Sequence, residues 1–352
     1  MNTLHSKAFQ AHHRPPSRDE GRDQPDRRQP TEDGRKAGRW ALVRKLLTWA
    51  FFALVAGLLV SHARSVDWSQ VWETLKAYPA TTLALAAALA GGSYLLYSTF
   101  DLIGRASTGH RLRTPTVLSV AFISYAFNLN LGALVGGVGF RYRLYSRLGL
   151  DKATITQVLG FSVLTNWLGY FALAGGVFTL GQVEVPAQWK IGPQGLQLLG
   201  LTLLGLVLAY LAACAWSPRR DWSVRGHELR LPSLRTALLQ VVLSSVNWLT
   251  ISCIVYVLLQ QKVAYGLVVA VLMMGAVAGV LTHIPAGLGV LEAVFIALLG
   301  GQVPQGQLLG GLLAYRAVYY LAPLAVAALL YARIEAQAKK GAAAPAARPG
   351  AG

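Results

Sequence analysis

Eight apolar stretches, separated by short polar segments, run along the chain at roughly 46–63, 80–100, 114–140, 153–180, 195–216, 236–260, 264–301 and 304–332. A helix that crosses a membrane needs about 20 predominantly apolar residues, and six of the stretches fit that length. The third and seventh do not. The third, TPTVLSVAFISYAFNLNLGALVGGVGF, is interrupted by Asn128, Asn130 and a run of glycines, and the seventh is interrupted at THIPAGLG. The pattern predicts an all-α polytopic membrane protein with about six spanning helices and two broken, re-entrant hairpins.

Composition agrees. Only 13% of the 352 residues are charged and 54% are hydrophobic, whereas a soluble domain carries about 25% charged residues. Lys and Arg outnumber Asp and Glu 32 to 15, a net charge of +17. A nucleic-acid binder spreads such charge over a polar folded surface. Here the basic residues lie between apolar runs, so no nucleic-acid partner is expected. Cys214 and Cys253 both sit inside apolar runs and form neither a disulfide framework nor a zinc site. No cleavable signal peptide is evident, and the first apolar run reads as a retained anchor. Residues 1–45 hold 11 basic and 6 acidic residues with no apolar period and are expected to be disordered, as is the tail 333–352. The transmembrane domain is expected over 46–332.

Loop charges bear on topology. Residues 101–113 carry net +2, while 141–152 and 217–235 each carry +3; residues 64–79 and 181–194 sum to zero. If all eight stretches crossed, both +3 segments would lie outside, against the positive-inside bias. If the third and seventh are re-entrant, every strongly basic segment and both termini lie on the cytoplasmic side.

A shift of 150 residues places GVGFRYRLYSRLGL on GLGVLEAVFIALLG, and TQVLGFSVLTNWLGYFALA on GQLLGGLLAYRAVYYLAPL, with nine identities over 44 ungapped positions. Compositional bias accounts for part of that number. Both halves also read helix, helix, broken segment, helix, which gives an inverted repeat over about 46–180 and 195–332. Transporters recurrently use this plan, with the site near the midplane.

Glu292 and Arg316 each stand alone in an apolar run. A charge at the bilayer centre costs at least about 2.5–3.5 kcal/mol, so such residues face the bundle interior and find a partner. The simplest arrangement pairs them, either as a structural ion pair or as a site where Arg316 meets an anionic head group and Glu292 balances it. Asn166 occupies the position of Arg316 in the repeat. Gly137, Gly139, Gly287 and Gly289 either line a cavity at the breaks or only permit close helix packing. His283 is either hydrogen-bonded filling or part of the site, and no paired carboxylate or second histidine makes it a metal ligand. Arg141, Arg143 and Arg147 follow the first break and either contact anionic lipid phosphates or only set topology. Asn128 and Asn130 either cap a half-helix or line the cavity.

LGALVGGVGFRYRLYSRLGL, HIPAGLGVLEAVF and AYRAVYYLAPL, in that order, resemble the lysylphosphatidylglycerol synthase transmembrane-region family over about residues 40–335. The family includes the membrane half of multiple-peptide-resistance factors and stand-alone bacterial inner-membrane proteins. The resemblance implies a flippase-like handling of anionic or aminoacylated phospholipids in the bacterial inner membrane. It places Gly137, Gly139, Arg141, Gly287, Gly289, Glu292 and Arg316 on the family's motif positions. Members often read PGGLG where this chain has PAGLG. The synthase activity does not carry over, because only about 20 hydrophilic residues follow the last helix; no enzyme activity and no cofactor are expected. The leading expectation is a phospholipid translocase or lipid-binding transporter. One alternative is a non-transporting scaffold that partners a separate lipid synthase. A polytopic head-group enzyme is another, with only His283 and Glu292 available as an acid–base pair.

Overall fold

The computed structural model describes residues 68–181, 192–217, 221–224, 227–282 and 289–343, together with positions 53, 57, 60 and 64. The polar segment 1–45, the bulk of the first apolar stretch, and residues 283–288 with His283 and Gly287 lie outside the described residues.

The described chain is almost entirely helical. Its elements are α1 (Trp68–Lys76), α2 (Ala80–Thr108), α3 (Thr114–Leu131), α4 (Phe140–Arg147), α5 (Lys152–Thr179), α6 (Pro193–Trp216), α7 (Leu234–Leu258), α8 (Tyr265–Thr282), α9 (Val290–Leu299), α10 (Gln305–Tyr315) and α11 (Ala322–Ala343). Two π-helical segments, Ala133–Gly139 and Arg316–Leu321, lead into α4 and α11. Between α6 and α7 a small antiparallel hairpin pairs β1 (Asp221–Val224) with β2 (His227–Arg230).

Five helices are long and apolar enough to cross a membrane: α2, α5, α6, α7 and the continuous run from α10 through α11. They coincide with five of the six unbroken stretches. Their starts follow local chemistry. Asp151 accepts from the Thr154 backbone N–H at 2.9 Å and its hydroxyl at 2.8 Å, and so caps α5. These two bonds hold the exposed Asp151 carboxyl below its usual range. Ser233 caps α7 through the Thr236 N–H, as short oxygen-bearing side chains do at orphan N–H groups. Gly109, at φ 71°, closes α2, a left-handed conformation that glycine adopts without strain.

The third stretch breaks as expected. α3 stops at Gly132, whose φ of 83° lies in the left-handed region, and the chain turns back. Phe140 then stacks on Phe127 at 4.0 Å, and the Tyr145 ring comes within 6.3 Å of His110. The end of α4 therefore returns to the end of the molecule where α2 finishes and α3 begins. Arg143 and Arg147 both reach Glu335 of α11 there. α7 runs alongside α5 in the same direction, since Gln240 meets Thr165 and Ser244 meets the carbonyl of Asn166. It runs against α2, since Asn247 meets Ser93 and Leu258 meets Tyr78. α7 thus also starts from the Glu335 end. The basic segments that precede α3, follow α4 and precede α7 share this one end, as the charge pattern predicts for a re-entrant third stretch.

The seventh stretch forms the short helices α8 and α9, which open toward the other end, where Lys262 reaches Gln307 at the start of α10. Gly275 lets Leu291 close against α8: an added Cβ would lie 2.6 Å from Leu291 Cδ1. α5 runs away from the Glu335 end and α10–α11 runs toward it, so the two segments aligned by the 150-residue shift point in opposite directions.

Two boundaries differ from expectation. α2 continues to Thr108, so Asp101 is not a loop residue but a fully buried helical one. Apolarity ends near Phe100, but the helix goes on because Asp101 finds an internal partner. α11 continues past Ala332 to Ala343, drawn on by the Glu335 contacts, so residues 333–343, expected to be disordered, are helical; residues 344–352 lie outside the described residues.

Sidedness is directly testable. With Cys214 and Cys253 replaced by alanine, single cysteines are placed at Arg113, at Leu148 (40% exposed) and at Leu180 (72% exposed). A membrane-impermeant maleimide is expected to reach positions 113 and 148 from one face and position 180 from the other. Labelling of 148 from the face opposite to 113 would overturn the re-entrant third stretch.

Candidate functional site: a buried ion pair at the second break

Arg316 opens the π segment between α10 and α11. It lies 11 residues from Gln305, or about 16 Å along the helix at 1.5 Å per residue, roughly half of a ~30 Å hydrocarbon core. Glu292 sits in the first turn of α9, just past Gly289, which has a φ of 79°. A side chain at that φ would be strained, so the glycine sets the angle at which α9 starts. Arg316 Nε donates to Glu292 Oε1 at 2.6 Å and Nη2 donates to Oε2 at 3.0 Å. This is the two-pronged geometry that makes arginine–carboxylate pairs strong and directional. The guanidinium also lies 5.7 Å from the Tyr320 ring centroid, and the start of α9 favours a carboxylate. The side chains keep 12% and 20% of their surface accessible.

The π segment has a visible cause. Pro323 lacks the N–H that would bond the Tyr319 carbonyl, and its ring crowds that oxygen. The Tyr94 hydroxyl takes over and donates to Tyr319 O at 3.1 Å, while Asn130 Nδ2 donates to Tyr320 O at 3.2 Å. Released carbonyls inside a membrane need such donors. Behind them a fully buried polar chain joins four elements: Ser93 Oγ donates to Asn247 Oδ1 at 2.7 Å, and Tyr319 OH lies 2.8 Å from Ser93 Oγ and 3.0 Å from Tyr125 OH. The run YRAVYY reads as apolar in sequence, so this chain was not anticipated. Asn130 therefore ties α3 to the π segment instead of capping α3.

Arg141, read from the sequence either as a contact for anionic lipid phosphates or as topology-setting charge, is held by Asp101 and Ser162. Its Nε and Nη2 donate to Asp101 at 3.1 and 3.0 Å, and Nη2 also donates to Ser162 Oγ at 3.1 Å. The Tyr145 hydroxyl donates to Asp101 Oδ2 at 2.9 Å. The side chains of Arg141 and Asp101 are 2% and 0% exposed. Asp101 leaves no mark in the hydrophobic pattern, because its partner lies 40 residues away. Arg143 and Arg147 share a helix face and converge on Glu335, joined by the Tyr331 hydroxyl.

Gly137 is buried within the first π segment, and a Cβ there would press on Asn128 Oδ1 at 2.9 Å. Its neighbour Gly136 packs so closely on the backbone of Phe127 and Asn128 that no side chain fits. Gly139 has ordinary helical angles at the start of α4. Asn166 presents its carbonyl to Ser244 and Trp248 of α7, and the described contacts do not bring it to Arg316. Among the described residues no three His, Cys, Asp or Glu side chains come together as a metal site.

The family model described as "Lysylphosphatidylglycerol synthase TM region" matches residues 46–327. The chain is 48% identical over 303 residues to "Inner membrane protein YbhN" of Escherichia coli, covering 86% of this chain and 95% of that protein. It is 29% identical to "Uncharacterized protein slr0712" of Synechocystis, covering 82% and 92%. It is 22% identical to "Phosphatidylglycerol lysyltransferase" of Staphylococcus haemolyticus, covering 82% of this chain but 34% of that longer protein.

Two substitution sets test the first break. Asp101→Asn strands a buried guanidinium and is expected to destabilise the protein by about 3–5 kcal/mol, whereas a joint Asp101→Leu/Arg141→Met change removes both charges and restores most of the loss. Thermal melting in detergent reads both; equal melting of Asp101→Asn and wild type would show that the pair carries no stability. Gly136→Ala is expected to abolish folded monomer in size exclusion. Gly160→Ala, where a Cβ meets nothing within 4 Å, is expected to behave as wild type.

Proposed function

The chain belongs to the lysylphosphatidylglycerol synthase TM region family, and we propose that it translocates phospholipids with anionic head groups between the leaflets of the bacterial inner membrane. The observation that carries this reading is the forked Arg316–Glu292 pair, about halfway along a membrane-length helix and still partly accessible. An anionic head group and Glu292 compete for the same guanidinium, so Arg316 can exchange one for the other without ever being left bare in hydrocarbon. Gly289 positions α9 for this exchange, and Gly287, His283 and Asn166 are proposed to belong to the same site. Gly137 and Gly139 shape the first break, with Arg141 as its brace. The opposed directions of α5 and α10–α11, and the two broken segments that open to opposite ends, support an inverted repeat over about 46–180 and 195–332. The positive-inside bias supports a cytoplasmic location for the Glu335 end. On this reading the protein carries out no chemistry on the lipid itself.

A second reading has one observation in its favour. In the lysyltransferase relative the matched region is about a third of a longer protein, which favours a scaffold role for this region beside a separate lipid synthase.

Liposomes reconstituted with the full chain and labelled phosphatidylglycerol separate the two. Wild-type protein is expected to speed leaflet exchange. Arg316→Ala is expected to slow it by roughly ten- to a hundredfold, the worth of a hydrogen bond to a charged group, with Glu292→Gln in between. Rates equal to protein-free liposomes for several phospholipids would remove the translocase reading. Copurification of a lipid synthase at fixed ratio, with Arg316→Ala harmless in cells, would establish the scaffold.

A further inference from the structure

Against the bend that carries Arg316, between α2, α3 and α11, lies a cavity of about 700 Å³. Its walls are cut by small residues, among them Ala87, Ala90 and Gly91 of α2 and Ala317 and Ala322 at the bend, with Tyr94 and Phe122 also lining it. Among the described residues no charged side chain lines it. The hydroxyls in its lining are already committed: Ser98 donates to Tyr94 O, Ser119 to Pro115 O and Tyr94 to Tyr319 O. The cavity therefore offers no free donor to water or to a head group, and apolar cavities do not hold ordered water. Left empty, it would cost its lining the dispersion contacts of a packed interior.

Its length points to the occupant. From Leu83 to Ser98 of α2 the groove runs about 22 Å at 1.5 Å per residue, more than the ~15 Å depth of one leaflet's hydrocarbon. It is flanked by membrane-length helices and opens to the surface those helices present. Acyl chains bathe that surface in a bilayer.

We propose that this groove is a binding site for a single acyl chain of a membrane phospholipid, selected for hydrocarbon and not for head group. The inference stands apart from head-group handling at Arg316, because the Arg316 side chain meets Glu292 and the Tyr320 ring while Ala317, Val318 and Ala322 line the groove. The chain in the groove packs against the same bend that aims Arg316.

The test uses the full chain in nanodiscs containing phosphatidylcholine or phosphatidylglycerol with a diazirine in one acyl chain. Cross-links to peptides 83–98 and 318–330 are expected to exceed those to the exposed α6 face at 198–208 by roughly tenfold, a preference of about 1.4 kcal/mol, with both head groups. Gly91→Phe fills the groove from a position where an added Cβ meets nothing within 4 Å, and it is expected to remove the excess without lowering the melting temperature. Labelling spread evenly around all helices, an excess that survives Gly91→Phe, or an excess seen with phosphatidylglycerol alone would each overturn the proposal. Repeating the labelling in Arg316→Ala separates the two readings: the groove signal is expected to persist where translocation is lost.

Discussion

A fully buried ion pair, Asp101 with Arg141, decides where the first broken segment can go. Isolated, either charge would be costly in the interior of a membrane protein. Together they satisfy one another, and the remaining capacity is filled by Tyr145 and Ser162. The four side chains come from α2, α4 and α5, so the return limb of the hairpin is pinned between two helices that run the length of the bundle. Had α4 continued in the direction of α3, Arg141 would have lain far from Asp101. The reversal at Gly132 and the pair at Arg141 are two aspects of one constraint, and the shared end of the basic segments follows from it.

Backbone accounting explains the rest of the interior. Unpaired carbonyls are not tolerated in hydrocarbon, yet both halves contain π segments where the regular pairing lapses. In the second, Tyr94 and Asn130 supply the missing donors. In the first, Arg141 Nη1 lies 3.4 Å from Gly137 O. Each irregular turn is thus repaired by a side chain from, or adjoining, the first half. This is why α2 and α3 pack so closely around Tyr319 and why the carbonyls freed at the Pro323 bend stay paired.

Much of this was legible in the sequence, for identifiable reasons. Helix length against membrane thickness picked out α2, α5, α6, α7 and α10–α11, and glycine-rich interruptions picked out the breaks. Loop charge anticipated that the basic segments share an end, because that pattern reflects where each segment lies and not how it packs. Arg316 and Glu292 stood out because charge is rare in such runs. What escaped notice depended on distant partners. Asp101 at the edge of an apolar run looks like the start of a loop until Arg141 is known to meet it. Glu335 looked like part of a polar tail until Arg143 and Arg147 reached it. The tyrosines count as apolar in any hydrophobic pattern, so the hydroxyl chain through Tyr125, Tyr319 and Ser93 left no trace. The π segments have no periodic signature, although Pro323, four residues after Tyr319, was the available hint of the second.

The contrast between the two ion pairs separates support from function. Both carboxylate oxygens of Asp101 are taken by Arg141 and Tyr145, all three side chains are buried, and nothing that entered could exchange with them without leaving a charge stranded. Glu292 and Arg316 meet through a single fork, retain some exposure, and sit on short or bent elements: a ten-residue helix entered through Gly289, and a bend caused by Pro323. A charge pair that must open to a ligand needs a partner able to move and a path of access. A charge pair that braces a hairpin needs neither. Of the two arginines that follow or open a π segment, Arg316 is the one that changes partners on the proposed reading, and Arg141 is the one that holds the framework around it.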